Sequence, residues 1–320
     1  MSRRIVLLSS VGVLLFSLAS AETNTSFAQT ASVTLPGKIQ TVFVIVMENK
    51  NWVTIKGSQY APYINGTLLP IAAHAERYNN PPGIHPSLPN YLWLEAGGNF
   101  GVVDDGPPSA HSLTWTDHLV MRLKGKGISW KAYMEGITGT ACPLADEGLY
   151  LVHHNPFVYF NDVTGDLDPS SAYCIAHIRP FAELATDLAK GTVAQYNFIV
   201  PDLCHDMHQP CNGISQIRLG DTWLSVNVPI ILRSKAYQSG ALFITWDEGG
   251  NRSDEGEETS DGPLPMFVLS PFAKRGYNNW IRYNHSSLFR TFEIIFGLVP
   301  PLPGDIAHDA ELSDLFTTFP

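Results

Sequence analysis

Five short apolar runs punctuate the chain, at about residues 41–47, 128–134, 195–200, 241–246 and 264–270. They are rich in β-branched and aromatic residues and mostly lack a polar alternation, which predicts strands buried on both faces. Helical spacing fills the intervals. Tyr63 to Ala75 places Ile64, Leu68, Ile71 and Ala75 on one face, with a kink or restart expected at Pro70. Further helices are expected from Pro89 to Gly97, near His111–Lys124, from Pro180 to Lys190 ahead of Gly191, and from Leu219 to Ala236, kinked or divided by Pro229. Asn284 to Ser287 reads as the cap of a last helix, Leu288–Phe296, stopped by Gly297, and the tail from Asp305 to Phe316 is expected to dock back. Alternating strands and helices predict one α/β domain in three layers with a mainly parallel sheet. The loop-rich stretch 98–175, with its aromatic run from Tyr150 to Asn161, is expected to wall the substrate side.

Chemistry collects where the apolar runs stop. The first ends in Glu48-Asn49, the third in Pro201-Asp202-Leu203-Cys204-His205-Asp206-Met207-His208, and the fourth in Asp247-Glu248-Gly249-Gly250. In an open α/β sheet, ligands sit beyond the carboxyl ends of strands, where these groups would be delivered. Adjacent carboxylates repel unless a cation stands between them, and a divalent metal meets that need; otherwise each segment is an ordinary polar turn. Ser87 lies in the proline-dense loop Pro81–Tyr91 just before a helix. It reads as an N-cap, or as a hydroxyl at which free N–H groups and the helix dipole favour an anion.

The net charge of −10, with no basic tract, argues against nucleic acid as a partner. Arg3 and Arg4 precede an apolar run from Ile5 to Leu18 and a small-residue site at Ala19-Ser20-Ala21. This reads as a signal peptide over 1–21, so the mature chain is expected to be secreted or periplasmic, with no transmembrane anchor. Residues 22–38, polar and Ser/Thr/Ala-rich, read as a flexible leader to a catalytic domain over 39–320. Four cysteines in an exported chain suit two disulfides. Pairing within the local loops, Cys142–Cys174 and Cys204–Cys211, is favoured, and the two other pairings remain open.

No G-x-S-x-G elbow, C-x5-R loop, R-H-G motif, P-loop or G-x-G-x-x-G occurs. Acids, an asparagine and histidines at strand ends, with a hydroxyl at a helix start, suit metal-assisted phosphoryl transfer. In order along about 42–298, the segments VFVIVMENKNW, HPSLPNYLWLEAG, NFIVPD…HDMH, GDTWL, ALFITWDEGG, PMFVLSPFAKRG and NHSSLFRTFEIIFGL resemble the phosphoesterase family of secreted acid phosphatases and non-haemolytic phospholipases C, within the alkaline-phosphatase superfamily. The resemblance implies an alkaline-phosphatase-like fold. It implies a divalent metal (Ca, Mg, Mn or Zn) on Glu48, Asn49, Ser87, Asp247 and Glu248. Ser87 would be the nucleophile that carries a phospho-serine intermediate, and Asn90 a phosphate-oxygen donor. Asp206, His208 and His285 would hold a second metal or bind phosphate, with His208 and His285 also catalytic. Two departures stand out: Asn51 replaces the usual small hydroxyl residue, and Asp261-Gly262-Pro263-Leu264-Pro265 lacks the histidine of the larger phospholipases' D-H-V-P-P. These favour a phosphomonoesterase over a phospholipase C-type phosphodiesterase. The aromatic run keeps the diester and a phospholipid substrate open beside a small phosphate ester. An inactive carbohydrate- or surface-binding protein on the same fold is the reading from a different class, and it would be favoured if Ser87 or Asp247 were buried and apart, because catalysis needs them within a few ångströms of one metal.

Overall fold

A strand without polar alternation needs cover on both faces, and the central strands of this protein have it. The structure is a computed structural model and describes Met1 and residues 33–250, 261–302 and 309–320. Residues 33 onward belong to one compact unit, Ser32–Pro320, and the signal peptide expected over 1–21 lies, apart from Met1, outside the described residues, as does most of the leader over 22–38. The strands are β1 (Thr41–Met47), β2 (Ala73–Ala75), β3 (Tyr78–Asn79), β4 (Trp130–Met134), β5 (Ile178–Pro180), β6 (Tyr196–Val200), β7 (Gly240–Trp246), β8 (Met266–Leu269), β9 (Tyr277–Asn279) and β10 (Tyr283–Asn284). The helices are α1 (Trp52–Ile55), α2 (Ser87–Ala96), α3 (Leu119–Gly125), α4 (Asn161–Thr164), α5 (Ala172–His177), α6 (Glu183–Lys190), α7 (Gln216–Leu232) and α8 (His285–Phe296).

Eight strands form one sheet in the order β5-β4-β6-β1-β7-β8-β2-β9, and β10 pairs with β3 apart from it. The pairs from β5 to β7 are parallel and only β8 runs antiparallel to its neighbours. Every residue of β1, β6, β7 and β8 is buried. Helices α2, α3 and α8 pack together as one group, and α6 packs with α7 as another. A mostly parallel central sheet with helices is the expected α/β arrangement.

Four expectations change. Residues 63–75 are not a helix: Ile64–Leu68 makes one wide turn and Ala73–Ala75 joins the sheet. The Asp221 carboxylate accepts from the Tyr63 and Ile64 N–H groups and starts that turn, and Pro70 then prevents its extension. The helix expected from His111 starts only at Leu119, because Leu113 bridges to Phe160 and holds the preceding segment extended. Pro229 does not divide α7, since it falls in the last turn, where the Arg233 N–H returns to its carbonyl. Nor is the described end of the leader loose: Leu35 is buried, Gln195 donates to the Val33 carbonyl, and Lys38 N–H reaches Pro320. Cys142 is joined to Cys174 and Cys204 to Cys211.

Behind α2 lies a charged triad, with Glu95 and His118 buried and Asp162 partly exposed. Glu95 accepts from His118 Nδ1 at 2.8 Å and from the Val120 N–H at 2.9 Å, and His118 Nε2 faces Asp162 at 3.1 Å. The ring stacks on Phe160 at 4.0 Å. Burial opposes the imidazolium, but Asp162 and Glu95 outweigh it and raise its pKa from 6.5 to about 9. The same burial pushes the Glu95 carboxyl up, so the gain is net of that cost. A raised histidine pKa gives stability that is complete below 6.5 and disappears as pH rises through about 9. The melting temperature is therefore expected to fall over that window in thermal denaturation. The fall should be shallower in His118→Gln, which should lose about 3 kcal/mol at pH 6 by stranding Glu95.

Candidate active site

The sheet register builds the site floor. Met47 of β1 lies opposite Trp246 of β7, and the Asp247 N–H continues the ladder to the Met47 carbonyl at 3.0 Å. Glu48 and Asp247 therefore leave neighbouring strands side by side. The Glu48 N–H binds the Asp206 carbonyl at 2.7 Å, which brings in the segment after β6. Asn49 sits at φ +42°, a left-handed turn that asparagine tolerates. Its N–H meets Asp247 Oδ1 and its Nδ2 meets Glu248 Oε1, both at 3.2 Å. Gly249 is needed for close approach, because a Cβ there would overlap the Asn51 Oδ1 that accepts the Gly262 N–H at 2.9 Å. Asn51, where a small hydroxyl residue was expected, ties the two loops together.

Helix α2 supplies the hydroxyl. Pro86 is its N-cap and Ser87 its first helical residue, so Ser87 does not cap the helix. The buried Ser87 Oγ instead donates to Glu48 Oε2 at 3.1 Å. The anion site expected there is smaller than the sequence implied, since the Leu88 N–H already binds Asp105 at 2.9 Å and Pro89 has none. One turn on, the Tyr91 hydroxyl donates to Glu48 Oε1. Asn90 Nδ2 faces the Ile84 carbonyl (3.0 Å), the Pro86 carbonyl (3.1 Å) and Glu248 Oε2 (3.0 Å), so its N–H groups are committed within the protein.

Charge is concentrated here beyond what the protein neutralises. Glu48, Asp206 and Asp247 are fully buried. Burial pushes all three carboxyls well up; Asp247 then adds to the shift at Glu48, and Glu248 to that at Asp247. The Ser87 hydroxyl lies close enough to Asp247 to pull its pKa back, although its hydrogen bond goes to Glu48. Asn49 Oδ1, Asp247 Oδ2 and Asp206 Oδ2 are buried without a hydrogen-bond donor. Oxygen atoms with no donor, beside carboxylates forced toward protonation, fit a hard divalent cation. Glu248 is different: Asn49 occupies Oε1, while His85 at 2.6 Å and Asn90 occupy Oε2.

The histidines divide. His208 N–H binds Asp206 Oδ1 at 2.7 Å, and its ring is near enough to depress His154 electrostatically. His285 is buried beneath the acids with Nδ1 on the Tyr78 hydroxyl (2.9 Å) and Nε2 on the Asp247 carbonyl. Burial lowers its pKa to about 4, so it is a neutral strut whose two nitrogens are engaged within the protein. The loop carrying Asp206 and His208 is anchored by Cys204–Cys211 and by Met207, which packs where a side chain on Gly220 would be.

Three residues of the site were not among the sequence candidates. His154 Nε2 lies 3.4 Å from Glu48 Oε1 and Nδ1 lies 3.8 Å from Asp206 Oδ2, with the ring stacked on Tyr91 at 5.3 Å. Burial, then His153 and His208, hold it far below the usual histidine pKa, hence neutral. His85 bridges Glu248 and Asp261, at 2.7 Å from the latter, and these acids raise its pKa to about 10. Tyr91, four residues beyond Ser87 on the same helix face, was legible from that spacing. His154 comes from an irregular segment, and only its density of histidine and aromatic residues marked it.

A family model described as the phosphoesterase family matches residues 81–299. A phosphatidylinositol-3-phosphatase of Mycobacterium tuberculosis is 27% identical over 277 residues, 86% of this chain and 82% of that protein. A phosphate-repressible acid phosphatase of Penicillium chrysogenum is 30% identical over 223 residues, 67% of this chain but only 50% of its own length. Among solved structures, an alkaline phosphatase superfamily protein from Vibrio parahaemolyticus superposes with a TM-score of 0.54 at 10% identity, covering 85% of this chain and 73% of that one. Human ectonucleotide pyrophosphatase/phosphodiesterase 5 gives 0.54 at 12% identity, covering 87% and 100%. The fold is that of the alkaline phosphatase superfamily.

Proposed function

Because the chain belongs to the phosphoesterase family, hydrolases of phosphoric ester bonds, we propose that it is an exported, metal-dependent phosphomonoesterase with Ser87 as nucleophile. The observation that carries this reading is the Ser87 Oγ–Glu48 Oε2 hydrogen bond of 3.1 Å, made beside Asp247 in a buried cluster of acids. A binding protein with Ser87 and Asp247 apart does not fit it.

Glu48, Asn49 and Asp247 would hold the metal, with Ser87 beside them; Glu248 acts by orienting Asn49 and Asn90. When bound, the metal would lower the hydroxyl pKa and polarise a phosphate oxygen. Glu48 Oε2 aims the Ser87 hydroxyl and accepts its proton as the new O–P bond forms and the ester P–O bond breaks. The departing alkoxide takes a proton from solvent, and water then cleaves the phospho-serine. Neutral His154 and the neighbouring His208 can donate N–H groups to phosphate oxygens. The domain over 39–320 would carry this chemistry alone.

Monoesters are favoured over phospholipid-type diesters because the aromatic run is core. Tyr150, Phe157, Val158, Tyr159 and Phe160 are all buried, so they line no apolar entrance. Both named relatives are phosphatases. Two disulfides fit an oxidising compartment, in keeping with export. Among the described residues no helix is long and apolar enough to cross a membrane. The test is hydrolysis of p-nitrophenyl phosphate beside p-nitrophenyl phosphorylcholine, with and without EDTA. Monoester turnover should exceed diester turnover by at least about tenfold and vanish on chelation. The opposite preference would move the assignment to a phospholipase C-type enzyme.

A further inference from the structure

Two and three strands away from Asp247, the ends of β6 and β4 build a second cluster. Glu135 follows β4, and its N–H is pinned to the Val200 carbonyl at 3.0 Å. Asp202 follows β6 and donates its N–H to Glu135 Oε2 at 3.0 Å, while Asp202 Oδ1 accepts the Cys204 N–H at 3.0 Å. The His205 N–H closes the turn on the Asp202 carbonyl at 2.8 Å. Backbone hydrogen bonds thus fix all three side chains at their roots.

Their tips converge. His205 Nδ1 lies 3.1 Å from Glu135 Oε2 and 3.0 Å from Asp202 Oδ1, and one ligand atom from each residue lies within 4.8 Å of the other two. One ring proton must be shared between two carboxylates, and no lysine or arginine among the described residues pairs with either. Separations near 3 Å are those of hydrogen bonds, and they also match neighbouring ligands around a cation with bonds of about 2.1 Å, which would take the place of the shared proton. The side chains of His205 and Glu135 are 37% and 22% exposed, so a cation could enter and complete its shell with water.

We propose that Glu135, Asp202 and His205 form a second divalent-cation site. One imidazole nitrogen and two carboxylate oxygens suit Zn²⁺ or Mn²⁺ rather than an all-oxygen calcium cage. The site shares no ligand with the Glu48–Asp247 centre. A cation there ties β4 to β6 at the root of the Cys204–Cys211 loop, and so steadies Asp206 and His208.

The test is zinc stoichiometry of the chelator-stripped full chain, by equilibrium dialysis and elemental analysis with Zn²⁺ alone. Glu135→Gln and His205→Asn should each bind one equivalent fewer than wild type, whereas Asp247→Asn should keep that equivalent. Stoichiometry equal to wild type in both Glu135→Gln and His205→Asn overturns the site. If Asp247→Asn binds as much as wild type while His205→Asn binds less, the catalytic metal fails and this site stands. Cobalt(II) gives a readout that does not depend on counting. Its visible bands should change in His205→Asn at unchanged far-ultraviolet circular dichroism, and an unchanged spectrum overturns the assignment.

Discussion

Ser87→Ala is expected to lower turnover of p-nitrophenyl phosphate by about 10⁴-fold or more while leaving the fold intact. Removing a nucleophile leaves only what binding and electrostatics achieve without it, and for a covalent mechanism that residue of rate is small. The substitution is mild for the structure. Ser87 opens α2, where alanine is a good helix former, and its side chain contributes one hydrogen bond, to Glu48. Glu48 keeps Tyr91, so the floor does not lose its last donor. Two measurements separate nucleophile from mere contact. Acid quenching during turnover of ³²P-labelled substrate should trap label on the wild type and none on Ser87→Ala. Tyr91→Phe removes another Glu48 donor from the same pocket and should keep trapping label. Turnover within about tenfold of wild type in Ser87→Ala would end the phospho-serine mechanism.

Buried strands announce themselves because both faces must be apolar, so β1, β6 and β7 and the acids at their ends were legible together. The rule that ligands gather at strand ends singled out Glu48 and Asp247, but the register of β1 against β7 that sets them side by side is a tertiary fact no local pattern carries. Short elements defeat periodicity: β2 has three residues and follows Pro70, and its sheet position depends on β8 and β9, far along the chain. His285 was visible as part of a helix cap, but spacing carries no information on what meets its ring. Tyr78 and the Asp247 carbonyl occupy both nitrogens, contacts fixed only by tertiary packing. His154 is the reverse case, an unremarked loop residue that the fold brings to Glu48 and Asp206.

The same crowding that marks the site predicts a conflict between function and stability. In the metal-free protein, Asp247→Asn is expected to be more stable than wild type by about 1–2 kcal/mol at neutral pH, although it should be inactive. Burial, then Glu248, push the Asp247 carboxyl well up, so holding it ionised at pH 7 costs folding energy. An amide carries no charge, and its Oδ1 can still accept the Asn49 N–H. The new N–H group replaces Oδ2, which has no donor, beside the acceptor oxygens of Glu48. With a divalent ion present the order should reverse. Wild type gains RT ln(1 + [L]/Kd), about 2.7 kcal/mol at a hundredfold excess over Kd, and the variant, short of one carboxylate ligand, gains less. Thermal denaturation in EDTA and again in excess Mn²⁺ should therefore give curves that cross. If Asp247→Asn proves less stable than wild type in EDTA, the carboxylate is held by protein donors and is not the metal ligand inferred above. A crossing of the curves is an outcome that simple loss of a structural contact cannot produce.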